Sequence, residues 1–289
     1  MKPLKKIGIF LDLSETDEFL LRYFKKMDDV FDFDSLTLVH FVALESDSAD
    51  LASLSEQLPK PLEEVIEDEV MELVEKVFGA KKSSIHVKIA LGGRLDGLIK
   101  WVDAEQFNLV VLGKKMKEYG TGVFSSKVIR LTDSDCLFVP EDAKTEFESI
   151  VLALDFSDYS QKVIRRGLNL AKNLSSKLLP VHIVKAGFQY FPYFKNQEKF
   201  QKNLRITAES SYKKVQKKTG LHEELICVED TGNHISKSLY DTALKHKANL
   251  IVMGNKGKSD EDDLLVGSVT DRMISIDRKI PVLIVKKDQ

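Results

Sequence analysis

Cysteine is nearly missing from this chain: Cys136 and Cys227 are the only two among 289 residues. Both lie inside apolar, strand-like segments, so no disulfide framework is expected, and buried thiols in a reducing cytoplasm are predicted. They offer no metal-ligand spacing, and His222, His234 and His246 are spaced too loosely to supply one, so no metal site is expected. An excess of either charge is also absent. Lys plus Arg number 43 against 45 Asp plus Glu, and the net charge of -2 gives no drive toward nonspecific nucleic-acid binding. No apolar run approaches the roughly 20 residues that cross a bilayer. The start, Met1-Lys-Pro-Leu-Lys-Lys6, leads into a short strand pattern rather than a signal peptide's longer apolar region. Neither membrane nor nucleic acid is therefore expected as a partner, and a cytoplasmic location is predicted. No Ser/His/Asp arrangement or strained nucleophile motif emerges, so there is no case for covalent catalysis.

What is present is a globular composition, 43% hydrophobic and 30% charged, written twice. Ile7-Gly-Ile-Phe-Leu-Asp12-Leu-Ser14 resembles Ile150-Val-Leu-Ala-Leu-Asp155-Phe-Ser157. Leu36-Thr-Leu-Val-His40-Phe-Val42 resembles Leu178-Leu-Pro-Val-His182-Ile-Val184, and Asn108-Leu-Val-Val-Leu-Gly113 resembles Asn249-Leu-Ile-Val-Met-Gly254. The separations are 143, 142 and 141 residues, a register that chance matches would not keep. Two homologous domains, 1–143 and 144–289, are predicted to meet at the polar stretch Pro140-Glu-Asp-Ala-Lys-Thr-Glu146.

Within each half, short apolar runs alternate with longer amphipathic stretches. In the second half strands are predicted at 149–154, 178–184, 224–229, 249–253 and 281–286, with helices at 158–174, 196–218, 233–247 and 268–277. In the first half Leu62, Val65, Ile66, Val70, Leu73 and Val77 give a helical stripe. Continuous Val/Ile/Leu strands suit a parallel sheet buried on both faces, and their alternation with helices implies a doubly wound α/β fold.

The most informative stretch follows the apolar run Leu250-Ile-Val-Met253. It reads Gly254-Asn-Lys-Gly257, then nine residues, then Gly267-Ser268 opening a helix. Glycines admit an anion close to backbone N–H groups, and a helix N-terminus adds unpaired donors. Two such elements from one loop make a polyphosphate cradle, with Lys256 and Lys258 beside it. The spacing matches neither the Walker nor the dinucleotide pattern. Asp260-Glu-Asp-Asp263 sits inside the spacer, where its carboxylates must point outward or help hold Mg²⁺.

Other residues carry two readings. Asp155 ends the first strand of its half, where it serves turn chemistry or accepts hydrogen bonds from a nucleotide base or sugar; ligands of open α/β sheets bind beyond such strand ends. Ser157 is placed to cap the next helix. His40 and His182 occupy equivalent strand positions and read as packed or hydrogen-bonded core residues rather than ligands. Phe188, Tyr190, Phe191, Tyr193, Phe194 and Phe200, interleaved with Lys195, Lys199, Lys202 and Arg205, form either packing between domains or subunits or a base-stacking platform.

The repeat, Asp155 after the strand, the Val-His-Ile-Val strand and the Gly-x2-Gly-x9-Gly-Ser pattern together resemble the universal stress protein family. Leu265-Val-Gly-Ser-Val-Thr270 and Ile280-Pro-Val-Leu-Ile-Val285 extend the likeness, and it covers the chain as a tandem of two such domains. The resemblance implies five parallel strands in the order 3-2-1-4-5 in each half, and ATP, with or without Mg²⁺, as the ligand of members that keep the glycine motif. Carried onto this sequence, it implies that Asp155 and the backbone of Ile183 contact the base and ribose side, with Ala153 bordering that pocket. Gly254, Lys256, Gly257, Gly267, Ser268, Val269 and Thr270 would surround the phosphates, with Met253 at the strand exit. The final strand, Val282–Val285, resembles the family's dimerisation strand. Its counterpart near Leu137–Val139 implies an intrachain pseudo-dimer, with a homodimer as a further expectation.

The first half departs from the motif. Met116 stands where Gly257 stands in the second half, the loop is shorter, and Gly122-Val123 is the match to Gly267-Ser268. Asp12 is kept. One competent site, in the second half, is therefore expected, with the first domain a degenerate partner. The resulting reading is an ATP-binding stress-response regulator acting through conformation or through protein partners that the sequence does not name. Slow ATP hydrolysis or self-phosphorylation, and a nucleotide-independent chaperone or scaffold using 188–200, stand as alternatives; no general base or paired catalytic carboxylates are evident.

Overall fold

Apolar runs too short for helices and rich in Val, Ile and Leu become the strands of parallel sheets. The computed structural model describes residues 5–31, 33–42, 58–79, 85–91, 95–114, 127–185, 197–230, 234–257, 266–275 and 279–286. The elements of the first half are β1 (Lys6–Leu11), α1 (Glu15–Phe31), β2 (Ser35–Val42), α2 (Leu62–Phe78), β3 (Ile85–Leu91), α3 (Leu95–Glu105), β4 (Leu109–Lys114) and β5 (Asp135–Pro140). Those of the second are β6 (Ser149–Ala153), α4 (Asp158–Leu174), β7 (Lys177–Val184), α5 (Gln197–Thr219), β8 (Ile226–Glu229), α6 (Ile235–Lys245), β9 (Leu250–Gly254), α7 (Ser268–Ser275) and β10 (Val282–Val285). The second-half elements all fall within two residues of the predicted ends.

Strand order is β3-β2-β1-β4-β5 in the first half and β8-β7-β6-β9-β10 in the second, with parallel pairing throughout each. This is the 3-2-1-4-5 order in both, so each half is a doubly wound α/β layer. The central strands form the core: Ile7, Ile9, Val110 and Val111 in one half, and Ile150, Val151, Leu152, Ile251 and Val252 in the other, are fully buried. Helix α2 buries Ile66, Val70, Val74 and Val77, whereas Leu73 is half-buried. Val74 replaces Leu73 in the expected stripe because 66, 70 and 74 are successive i+4 positions, which align along one face.

Contacts divide the chain into two units, one of Lys2–Glu118 and Leu131–Glu141, the other of Tyr119–Arg130 and Asp142–Gln289. Within the second unit, Arg130 pairs with Asp271 of α7 at 3.1 Å, and the Lys286 ammonium donates to the Ile129 carbonyl. The two cysteines differ from expectation in one respect. Cys136 is buried in β5, but Cys227 is only half-buried in β8, an edge strand, where burial still pushes its thiol above the ordinary value. Among the described residues no helix is long and apolar enough to cross a membrane.

The repeat extends to the fastenings of each half. The Asn108 carboxamide oxygen accepts the amides of Lys5 and Lys6 at 3.0 and 2.9 Å, and Asn249 accepts the Ser149 amide at 3.2 Å. His40 Nδ1 lies 3.0 Å from the Leu11 carbonyl, and His182 Nδ1 lies 2.7 Å from that of Leu154. A carbonyl can only accept, so both rings carry their proton on Nδ1. Leu13 and Phe156, at equivalent places in the turns after β1 and β6, have φ of 59° and 63°, unusual for side chains of this kind.

Candidate functional site

That left-handed turn places Asp155, and one helical side chain stabilises it. Ser160 of α4 accepts the amides of Asp155 and Phe156 at 3.1 and 2.8 Å and donates its own proton to Asp155 Oδ1 at 2.9 Å. Ser157 adds its amide at 3.0 Å and its hydroxyl at 2.6 Å to the same oxygen. Ser157 occupies the N-cap position of α4 without a side-chain capping bond, and its hydroxyl donates to Asp155 instead. The turn chemistry expected of Asp155 is present, with the Ser157 amide and both serine hydroxyls donating to Oδ1. The ring of Phe156 packs on His182 with centroids 4.4 Å apart.

Beyond the carboxyl ends of β6, β7 and β9 lies a cavity of about 410 Å³, within the range of small-ligand pockets. All eleven residues singled out from the sequence line it: Ala153 and Asp155 from β6 and its turn, Ile183 from β7, Met253 and Gly254 from β9, Lys256 and Gly257 from the following turn, and Gly267, Ser268, Val269 and Thr270 from the start of α7. Sequence reasoning misses part of the wall. Tyr159, Ser160 and Val163 enter from α4, Ile235 and Leu239 from α6, His182 from β7 and Lys185 from just beyond it. The signal for them is the i, i+4 spacing of 159/163 and 235/239, which puts each pair on one helical face. His182 is held by Leu154 as expected of a core residue, yet it also borders the cavity, and burial keeps its pKa below the ordinary histidine value.

The glycine turn is fastened to the helix it precedes. Thr270 donates its hydroxyl to the Gly254 carbonyl at 3.0 Å, and the Gly267 amide donates to the Asn255 carbonyl at 2.9 Å. Gly267 lines the cavity, with its N–H used inside the protein. Asp271 is the first residue of α7 bonded one turn back, to the Gly267 carbonyl at 3.0 Å. The amides of Ser268, Val269 and Thr270 precede it and are the donors a helix N-terminus leaves for an anion. A side chain at Gly254 would come within 2.9 Å of Tyr159 Cβ, so the strand exit has room for glycine alone.

The corresponding turn of the first half is built differently. There Asp17 takes the place of Ser160, accepting the Asp12 amide at 3.1 Å and that of Leu13 at 2.8 Å. Its carboxylate is buried beside Asp12, and burial followed by that neighbouring charge raises its pKa to about 6. Leu20 replaces Val163 and is buried in the core, against Gly113. Met116, Gly122 and Val123 lie outside the described residues, as do Lys258, the acidic run 260–263 and the aromatic residues 188–194. Among the described residues no three His, Cys, Asp or Glu side chains gather as metal ligands.

The sequence pattern of the Universal stress protein family matches residues 146–286. A universal stress protein of Methanocaldococcus jannaschii is 30% identical over 142 residues, 49% of this chain and 83% of that protein. Among solved structures, a universal stress protein from Archaeoglobus fulgidus is similar across 98% of both chains, with TM-score 0.65 and 18% identity. A putative universal stress protein from Pseudomonas aeruginosa covers 98% of this chain and 93% of its own, with TM-score 0.63 and 15% identity. At such identities these two likenesses establish the fold.

Proposed function

This chain belongs to the universal stress protein family, and from that premise we propose that its second half, residues 144–289, is a receptor for an adenine nucleotide, with ATP as the ligand. The observation that carries the proposal is the convergence on one cavity of two unlike surfaces. The Gly254–Gly257 turn and the first amides of α7 offer donors and the Lys256 cation. Ile183, Val163, Ile235 and Leu239 supply the apolar lining of the same cavity. A polyphosphate suits the first and a flat base the second, and Asp155, in the turn after the central strand β6, suits the ribose. Mg²⁺, where present, would arrive with the phosphates.

One site per chain is proposed, with residues 1–143 as a degenerate partner. In that half a buried carboxyl, Asp17, stands where the second half has a serine, and leucine stands where it has Val163. The output is a regulatory one: nucleotide binding changes which partners the protein accepts, to the extent that the nucleotide favours one state over another.

Calorimetric titration of the full chain with Mg-ATP tests the proposal. Saturation at one equivalent is expected, and Gly257→Met, which copies the first half, is expected to abolish binding while the thermal transition is kept. No binding by the wild-type chain, or two equivalents per chain, would sink it.

A further inference from the structure

Three side-chain hydroxyls stand at the start of α4, and two are occupied: those of Ser157 and Ser160 donate to Asp155 Oδ1. The third belongs to Tyr159. It makes no hydrogen bond to the protein among the described residues, although the side chain is half-buried and lines the cavity. A hydroxyl in a cavity wall with no protein acceptor is free to donate to one supplied from outside. Burial pushes the phenol above its ordinary value, and it therefore remains an O–H donor through the physiological range.

The ring's position says which part of a ligand it meets. A Cβ added to Gly254 would lie 2.9 Å from Tyr159 Cβ and 3.4 Å from its Cδ1, so the ring lies against the exit of β9. There the turn to Lys256 and Gly257 begins, on the opposite side of Asp155 from β7. Acceptors at that end would be the non-bridging oxygens of a phosphate chain, and hydrogen bonds to ionised acceptors are the strong kind.

We propose that Tyr159 is a ligand-binding residue whose hydroxyl donates to a phosphate oxygen of the bound nucleotide, so that the site selects phosphorylated nucleotides over the nucleoside. This assignment rests on the adenine-nucleotide reading above. It is tested by titrating the full-length wild type and Tyr159→Phe with Mg-ATP and with adenosine. Phenylalanine keeps the ring against Gly254 and removes only the oxygen. Affinity for Mg-ATP is expected to fall about tenfold or more, as loss of a hydrogen bond to a charged group does, while adenosine changes less than about twofold. Unchanged Mg-ATP affinity in the variant overturns the assignment, as does an equal loss for both ligands. A wild-type chain that binds neither ligand overturns the nucleotide reading itself and the assignment with it, an outcome visible before any variant is compared.

Discussion

Ser160 and Asp155 hold each other: the serine oxygen accepts the Asp155 amide at 3.1 Å while its proton goes to Asp155 Oδ1 at 2.9 Å. The same oxygen also accepts the amide of Phe156, a residue in the left-handed region. One hydroxyl thus satisfies the backbone of a strained turn and orients the carboxylate at the cavity's centre.

Ser160→Ala removes that hydroxyl with little change in volume and leaves two amides without their acceptor. A loss of about 1–3 kcal/mol in stability is expected, because unsatisfied buried donors cost that much. Mg-ATP affinity is expected to fall with it. Urea unfolding and calorimetry on the same preparation would check both, and an unchanged midpoint would mean that water takes over the serine's role.

Asp17, at the equivalent position, gives the first half a pH dependence of opposite sign to an ordinary ion-paired carboxylate. Its folded-state pKa is raised from 3.8 to about 6. A raised value means that the folded state binds the proton more tightly than the unfolded chain. The stabilising contribution is therefore complete below about pH 4 and disappears as pH climbs through about 6, a change on the order of 2–3 kcal/mol. Asp17→Ser, which copies the second half, should flatten the stability profile between pH 4 and 7. Retention of the full slope in that variant would place its origin in other groups.

Gly113 and Gly254 close equivalent strands but have different surroundings. Alanine at 254 would bring its Cβ to 2.9 Å from Tyr159 Cβ, whereas alanine at 113 would, among the described residues, meet Leu20 Cδ2 alone, at 3.4 Å. Gly254→Ala is expected to cost about 1–3 kcal/mol through overpacking. Gly113→Ala should stay within roughly 0.5 kcal/mol of wild type. Parallel denaturation of the two variants checks the contrast, and equal effects would show that the Tyr159 contact yields freely.

Asn108 accepts two amides where Asn249 accepts one. Asn108→Ala should accordingly speed hydrogen exchange at Lys5 and Lys6 more than Asn249→Ala does at Ser149. Amide-resolved exchange measures this directly. Equal acceleration would indicate that the strand pairing alone protects these positions.

Much of the architecture is legible in the sequence because a parallel sheet buried on both faces writes its strands as unbroken Val/Ile/Leu runs, and because the chain states its pattern twice. Helix starts in the second half are clear at Ser157 and Gly267, just before two of them, whereas the helix predicted from 233 begins at Ile235. The glycine spacing marks the turn and helix start of the cavity wall. It cannot say that the Gly267 amide is already bonded to Asn255, since that depends on how the turn folds back. Tyr159 and Val163 stay hidden because a residue in a helix's first turns reads as helix, whatever the space above it. Asp17 is inconspicuous for a related reason: an acidic residue early in a helix is commonplace, and only its burial against Asp12 sets it apart.

The histidine–carbonyl bonds at His40 and His182 and the asparagine clasps at Asn108 and Asn249 lie in both halves, and none requires a bound molecule. Each copy is therefore self-supporting scaffolding, fastened from within. Drift at the rim of one copy can erase its receptor without loosening the frame, which leaves that copy open to acquire a different task while its sibling keeps the old one.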